Sequence, residues 1–152
     1  MPNKTEESNL EAAGSWAKKY FLASRALMES VLRPYDLGNT QWYVLYLLAK
    51  DGPIKQRDLT RMLEIERATL SAVISALVRK GLIDQMSDPE DQRQRVLQFT
   101  TAGKNLWATL PDPIGLITRV AFDGVDDEDI ATTNRILREA TQRLINYKEG
   151  RK

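Results

Sequence analysis

The 152-residue chain contains no cysteine and no histidine. Without cysteine it has no disulfide bonds, thiolate zinc sites or cysteine nucleophiles, and without histidine it lacks the usual general base near neutral pH. We therefore expect no catalytic residue, no cofactor and no metal site, and we interpret the chain as a protein that is not an enzyme. The acidic run at residues 126–129 could attract a cation, but carboxylates at the positive end of a helix explain it better.

Long apolar segments and a strong excess of one charge are also missing. No apolar run approaches the roughly 20 residues of a membrane helix, and the polar N-terminus MPNKTEESN does not resemble a targeting peptide. We therefore expect a cytoplasmic protein that does not bind membranes, with residues 1–7 disordered. The net charge is +1, and the most basic stretch, residues 55–104, carries nine basic against seven acidic side chains. Charge alone does not indicate a nucleic-acid partner.

The most informative stretch of the chain is residues 54–99. Residues 56–63 and 67–80 predict two short helices with a tight link, which is the pattern of a helix-turn-helix. We expect Gly81 to end the second helix in a left-handed conformation. The buried side of the first helix is predicted to carry Leu59, Met62 and Leu63. The second helix has apolar residues at the spacing of one buried stripe: Leu70, Val73, Ile74, Leu77 and Val78.

Two strand-like runs, residues 82–86 and 95–99, follow the second helix. The polar segment SDPEDQRQ between them, with Asp88-Pro89 as turn initiator, predicts a hairpin, and Ile54 is expected to add one residue to its sheet. A helix-turn-helix followed by a hairpin with a basic tip is a winged helix-turn-helix. The predicted fold is therefore mainly α, with a small β-hairpin wing and flanking N- and C-terminal helices.

The flanking helices are predicted from their caps and breaks. A capping box at Ser8 and Glu11 begins a long first helix, and Pro34 ends it. Asn39 or Thr40 is expected to cap a nearly all-apolar helix over residues 41–50. Three further predicted starts follow the wing: Thr100 caps one helix, Asp112-Pro113 restarts it after a break, and Asp126 caps the last.

The motifs of this region resemble those of the multiple-antibiotic-resistance regulator (MarR) family of bacterial transcription factors. The matching segments are GNTQWYVLYLLAKDGPIKQRDLTRML, TLSAVISALVRKGLI and DPEDQRQRVLQFTTAG. The resemblance is strongest over residues 37–103. It implies a single compact protomer with an N-terminal dimerisation helix at 1–36, the DNA-binding winged helix at 37–100 and C-terminal dimerisation helices at 101–152. It also implies a homodimer; the alternative is a closed monomeric helical domain.

The exposed side of the second helix would face the major groove of double-stranded DNA. Its candidate DNA-binding residues are Arg67, Ala68, Thr69, Ser71, Ala72 and Ser75. The family often carries arginine where Ala72, Ala76 and Val96 stand, so this chain departs from it at three positions and its direct base readout is expected to be lean. The alternative is that these serines and alanines form an ordinary solvated helix face.

The wing tip supplies a second group of candidates. The resemblance implies that Arg93 enters the minor groove and that Asp91 holds the wing through an ion pair or a backbone hydrogen bond. Arg95 is basic where many relatives have their arginine one residue later, at the position of Val96. Alternation along the strand predicts that Arg95 points to the opposite face from Val96. The phosphate-contact candidates are Lys55, Gln56, Arg57, Thr60 and Arg61. The alternative for the tip is a solvated hairpin.

These features together predict a sequence-specific DNA-binding transcription regulator. We expect a homodimeric repressor of a palindromic operator that a small ligand releases. The alternative is a winged-helix module that binds proteins without reading DNA sequence, which the near-neutral charge favours. The tentative aromatic-effector site comprises Trp16, Tyr20, Arg25, Trp42 and Tyr46, with Trp107 close by. Ordinary packing of these aromatics, with Arg25 on a solvated face, is the competing interpretation.

Overall fold

In a computed structural model the chain is mainly helical, with one small three-stranded sheet, as the sequence predicted. The structure describes residues 4–151, and their side chains from residue 8 onward. The chain divides after Pro113 into two compact units. The first unit contains α1 (Lys4–Leu32), a 3₁₀ turn (Arg33–Tyr35), α2 (Asn39–Asp51), β1 (Ile54–Lys55), α3 (Gln56–Leu63), α4 (Arg67–Arg79), β2 (Ile83–Ser87), β3 (Arg95–Phe99) and α5 (Thr101–Thr109). Helix α6 (Pro113–Ala121) begins at the division, and α7 (Asp127–Glu149) lies in the second unit.

The core of the first unit forms around α2 and the helix-turn-helix. Four residues of α2 are buried, as expected for a central helix: Trp42, Val44, Leu45 and Leu48. In α4 the buried stripe is narrower than predicted, because Val73 is half-buried and Val78 is 40% exposed. In α3 only Leu59 is buried, whereas Met62 is 47% exposed. Most residues of α4 and three residues of α3 are therefore exposed within this chain.

The sheet has the order β1-β3-β2, and both pairings are antiparallel. Ile54 pairs with Leu97, which confirms the predicted extra strand, and Lys55 adds a second pair opposite Val96. Gly81 adopts a left-handed φ of 72°, as predicted. Leu82 lies outside β2 because its N–H donates to the carbonyl of Leu77 and continues the helix C-cap.

The chain leaves the wing at a point where the backbone of Gly103 lies very close to that of Leu82. A Cβ on Gly103 would lie 1.9 Å from the carbonyl oxygen of Leu82, so only glycine fits there without displacing the backbone. The Thr100 hydroxyl donates to the carbonyl of Gly81 at 2.6 Å and accepts from the Gly103 N–H at 2.9 Å. This confirms Thr100 as the cap of α5, and it ties α5 to the start of β2.

Three of the predicted helix starts were wrong or only partly right. Ser8 lies inside α1, since the helix already begins at Lys4, so the predicted disorder is wrong for residues 4–7; residues 1–3 lie outside the described residues. Gly38 caps α2 instead of Asn39 or Thr40, and its N–H donates to the Gln41 side chain at 3.2 Å. Asp126 occupies the N-cap of α7 without a side-chain cap hydrogen bond.

Large apolar side chains remain exposed on α1 and on α7. Leu10, Trp16 and Phe21 of α1 are 73%, 66% and 56% exposed. No residue of α7 is buried, and Leu137 and Leu144 are 49% and 72% exposed. Across residues 4–151, no helix combines the length and the hydropathy that crossing a bilayer requires.

Candidate nucleic-acid interface

A basic groove runs between α3, the N-terminal half of α4 and the wing. Its volume is about 450 Å³, and five of the side chains that line it are arginines. The lining residues are Gln56, Arg57, Thr60, Arg61, Arg67, Ser71, Gln85, Arg93, Gln94 and Arg95. The folded chain therefore concentrates positive charge at one place although its net charge is only +1.

The arginines of the groove differ in their partners. Arg57 and Arg61 both contact Asp58, at 3.8 Å and 2.5 Å. Arg67 and Arg93 have no carboxylate within ion-pair distance in the described part of the chain, residues 4–151. These two guanidinium groups are the ones most available to an anionic ligand.

The recognition-helix candidates fall into two sets. Arg67 and Ser71 line the groove, whereas four others are exposed on α4 outside its walls: Ala68, Thr69, Ala72 and Ser75. All six are near the start or the middle of α4. The structure thus brings Arg67 and Ser71 together with Gln56, Arg57 and the wing arginines, and it leaves the remaining four on the open face of the same helix.

A hydrogen-bonded chain connects the wing to α4 across the groove. Gln85 Nε2 on β2 donates to Gln56 Oε1 at 2.7 Å, and Gln56 Nε2 donates to Ser71 Oγ at 3.5 Å. Because Ser71 accepts this hydrogen bond, its own O–H remains free to act as a donor. Sequence reasoning missed Gln85 and Gln94 as groove residues, since a polar residue in a hairpin gives no sign of which element it faces.

The wing tip is shaped by hydrogen bonds between its own residues. Asp91 Oδ1 accepts from the Arg93 N–H at 3.1 Å, which is the backbone contact predicted for Asp91. The Gln94 N–H donates to the Asp91 carbonyl at 2.9 Å. Arg95 Nη1 donates to Ser87 Oγ at 3.0 Å, and Arg95 lines the same groove as Arg93. Val96, the next residue of the strand, is not among the residues that line the groove, which agrees with the prediction that Arg95 and Val96 point to opposite faces.

Asp88 is a buried carboxylate at the base of the wing. It is 4% exposed, and its Oδ2 lies 2.8 Å from Lys55 Nζ on β1. The side-chain hydrogen bond from Lys55 and then the Glu90 N–H lower the pKa of Asp88, while the same bond to Asp88 raises the pKa of Lys55. Lys55 therefore pairs within the protein, and its role as a phosphate contact stays a prediction.

The predicted effector residues converge only in part. The rings of Trp42 and Tyr46 stack with centroids 5.2 Å apart, and Trp107 lies 5.7 Å from Trp42. Trp42 is 3% exposed, and its Nε1 has no acceptor among the described residues. Trp16 and Tyr20 are 66% and 44% exposed on α1.

Arg25 is placed elsewhere. It lines a separate cavity of about 520 Å³ at the junction of α1, α2 and α4, together with Asn39 and Lys80. The guanidinium of Arg25 lies 5.7 Å from the ring of Phe21. The described contacts thus join three of the predicted aromatics and do not join Arg25 to them.

The winged-helix region matches a known family. Residues 37–94, which include α2, the helix-turn-helix and most of the wing, match the model described as the MarR family. Residues 37–94 thus form a winged helix of the MarR type. The curated proteins that match the chain are described as transcriptional regulators. The MarR-type winged helix here carries alanine at positions 72 and 76, so α4 has short side chains there.

Relatives and solved structures agree with this assignment. The transcriptional regulator FarR of Neisseria gonorrhoeae is 22% identical over 114 residues, which cover 75% of this chain and 76% of FarR. The crystal structure of a mutant E. coli MarR complexed with operator DNA has a TM-score of 0.77 and 20% identity, covering 87% of this chain and 95% of that one. Bordetella bronchiseptica BpsR, whose DNA binding is regulated by 6-hydroxynicotinic acid, has a TM-score of 0.74 and 23% identity, covering 84% and 91%. These likenesses show the MarR winged-helix fold.

Proposed function

We propose that this chain is a sequence-specific DNA-binding repressor, which acts as a homodimer on a palindromic operator and is released by a small aromatic ligand. The observation that carries the proposal is the basic groove, which places five arginines between the recognition helix and the wing. Double-stranded DNA presents about one negative charge per 1.7 Å of helix axis. A DNA strand that passes from the major to the minor groove fits between these two reading elements.

The residues on the different walls of the groove contact different parts of the DNA. Gln56 and Arg57 at the start of α3 contact phosphates and fix the register of the protein on the duplex. The exposed face of α4, from Arg67 to Ser75, enters the major groove, where the free hydroxyl proton of Ser71 selects an acceptor such as guanine O6 or adenine N7. Arg93 enters the minor groove and favours narrow A·T tracts, while Asp91 holds its backbone in place.

The homodimer is supported by the apolar side chains that the chain leaves exposed. Trp16 and Phe21 on α1, and Leu137 and Leu144 on α7, each have about half or more of their surface exposed. A second copy that buries these residues would remove this apolar area from water. Two recognition helices in a symmetric dimer read a palindrome, and a dimer seated on a promoter would block transcription from the cytoplasmic chromosome.

The ligand-release step is supported by the aromatic cluster of Trp42, Tyr46 and Trp107. The unpartnered Trp42 Nε1 is suited to donate to a carboxylate or hydroxyl oxygen of a bound ligand. BpsR is regulated by 6-hydroxynicotinic acid, which is an aromatic carboxylate. A ligand of that class would release DNA if it bound more tightly to a dimer whose recognition helices no longer match successive major grooves.

The proposal is tested by replacing Arg93 with alanine and measuring duplex affinity over a range of salt concentrations. Arg93→Ala should weaken binding to all duplexes and lower the salt dependence, d log K/d log[salt], by about one per subunit. Lys104→Ala removes a positive charge from an exposed position on α5 outside the groove, and it should leave both quantities unchanged. If Arg93→Ala alters neither affinity nor salt dependence, the groove does not bind DNA and the protein-interaction alternative gains.

A further inference from the structure

The charged pair at the base of the wing joins two elements that the proposed function uses separately. Lys55 is the last residue of β1, directly before Gln56 and Arg57 in the groove. Asp88 lies at the other end of the pair, between β2 and the tip that carries Arg93. Their side chains are 36% and 5% exposed, so the carboxylate is almost removed from water while the ammonium group is partly wet.

Asp88 is also the residue on which the wing tip folds. Its N–H donates to the Gln94 carbonyl at 3.0 Å, and its Oδ1 accepts from the Glu90 N–H at 3.0 Å. Its Oδ2 takes the ion pair with Lys55 at 2.8 Å. The backbone on both sides of Arg93 is therefore attached to one residue: Gln94 to the backbone N–H of Asp88, and Glu90 to its carboxylate. The same carboxylate is attached to β1 through Lys55.

The register of the sheet shows which strands the ion pair connects. Lys55 pairs with Val96 of β3, and Ser87, which precedes Asp88, pairs with Arg95. The ion pair thus crosses from the short edge strand over β3 to the start of the tip. A flexible hairpin loop held at this point has fewer conformations, so the guanidinium of Arg93 is kept on the groove side of the wing.

We infer that Lys55 and Asp88 are positioning residues, whose ion pair fixes the wing tip relative to α3 and α4 so that Arg93 meets the minor groove when α4 occupies the major groove. The inference rests on the proposed DNA-binding function. Lys55 acts here through Asp88 and not through a phosphate, and Asp88 favours DNA binding although it carries a negative charge close to the DNA-facing surface.

The direction in which Asp88→Asn changes DNA affinity distinguishes a positioning role of Asp88 from a purely electrostatic one. If Asp88 only repelled phosphates, Asp88→Asn would tighten DNA binding, because it removes a negative charge near the duplex. If Asp88 positions the wing, Asp88→Asn should weaken binding by an amount close to that of Arg93→Ala. The same variant should reduce the preference for A·T over G·C base pairs at the flanking minor-groove positions, and leave the major-groove preferences of α4 unchanged.

The experiment measures the affinity of the full chain for duplexes with A·T and G·C flanks, for wild type and five variants. Lys55→Met and Asp88→Asn should each weaken binding, and the double variant should be no weaker than the worse single one, since both act through one contact. Lys55→Arg retains the ion pair and should bind like wild type. Lys104→Met, which removes a lysine charge elsewhere, should also bind like wild type.

Thermal unfolding of each variant shows whether it is folded. A further variant combines Asp88→Asn with Arg93→Ala. Adding Arg93→Ala to a folded Asp88→Asn variant should cost little further affinity, because Arg93 is already displaced. Tighter binding by Asp88→Asn, additive losses in the double variant, or a full further loss from Arg93→Ala would each overturn the inference. Should Asp88→Asn fail to fold, the comparison of Lys55→Met with Lys55→Arg decides alone: equal affinities overturn the inference. If wild type itself binds no duplex, the proposed function fails instead.

Discussion

At the scale of single residues, the charged side chains of the interface have different roles because they have different partners. Arg67 and Arg93 have no carboxylate partner in the described residues, whereas Arg57 and Arg61 share Asp58. Lys55 is bound to the buried carboxylate of Asp88. The charge of Arg67 and Arg93 is therefore fully available to phosphates, whereas that of Lys55 is matched inside the protein and that of Arg57 and Arg61 is shared with an exposed, weakly held carboxylate.

The Asp88–Lys55 pair predicts a specific dependence of stability on pH. The pKa of Asp88 is lowered by its hydrogen bonds, so the folded state favours the carboxylate form, and the resulting stabilisation is complete above the ordinary value of 3.8. It is lost as the pH falls through the lowered pKa of folded Asp88. The pKa of Lys55 is raised, so its contribution is complete below 10.5 and is lost as the pH rises through its raised value.

We therefore expect Asp88→Asn to lower the free energy of unfolding by a constant amount across the neutral range, and the difference from wild type to shrink to nothing in strong acid. Denaturant unfolding at a series of pH values measures this. Asp84→Asn on β2 is the control, because Asp84 is exposed and has no ion pair in the described part of the chain. A difference between wild type and Asp88→Asn that persists unchanged at low pH would contradict the ion pair.

Sequence reasoning succeeded for residues whose role is set by local chemistry. Gly81 and Thr100 were predicted correctly, because a left-handed turn and a helix cap depend on the residue itself and on a few neighbours. It did not find the contacts of Lys55 with Asp88 and of Gln85 with Gln56, since these partners are 33 and 29 residues apart in the sequence. Long-range partners of polar surface residues leave no periodic signal in one sequence.

At the scale of elements, the helices and strands of the winged region followed their sequence patterns closely. The predicted bounds of α3 and β3 are those of the structure, and α4 ends one residue before the predicted position. The buried stripe of α4 was predicted too wide, because a sequence pattern cannot tell a face that packs from a face left open for a ligand. The start of α2 was missed since Gly38 caps it through the Gln41 side chain.

The aromatic cluster on α2 and α5 predicts how an effector would be held. Salicylate, a small aromatic carboxylate, serves as the probe ligand. Replacing Trp42 with phenylalanine keeps a ring in the stack and removes the Nε1 donor, so it should weaken salicylate binding by about 1 kcal/mol, or roughly fivefold. Arg25→Ala should also weaken salicylate binding if the carboxylate of salicylate reaches the separate cavity that Arg25 lines. Tryptophan fluorescence during salicylate titration, and release of a bound duplex, measure both effects.

The control for the effector experiment is Lys50→Ala, at an exposed position in the last turn of α2. It should leave salicylate affinity and DNA release as in wild type. If Trp42→Phe and Arg25→Ala behave like this control, the aromatic cluster is ordinary core packing and any effector binds elsewhere.

At the scale of the whole molecule, the proposed function requires two copies of the chain acting together. The exposed apolar residues of α1 and α7 support a dimer, and a dimer positions two recognition helices on one face of a duplex. One chain cannot show this symmetry, since each half of a two-fold interface lies on a separate copy. The operator should therefore reveal the assembly as well as the DNA-binding activity.

The most direct test is to select duplexes from a random library with the purified 152-residue chain and to sequence them. The account predicts an enriched palindrome whose half-sites are centred about 10–10.5 base pairs apart, with A·T-rich positions where the wings meet the minor groove. Enrichment of no sequence, or of one without two-fold symmetry, would contradict a dimeric sequence-specific regulator.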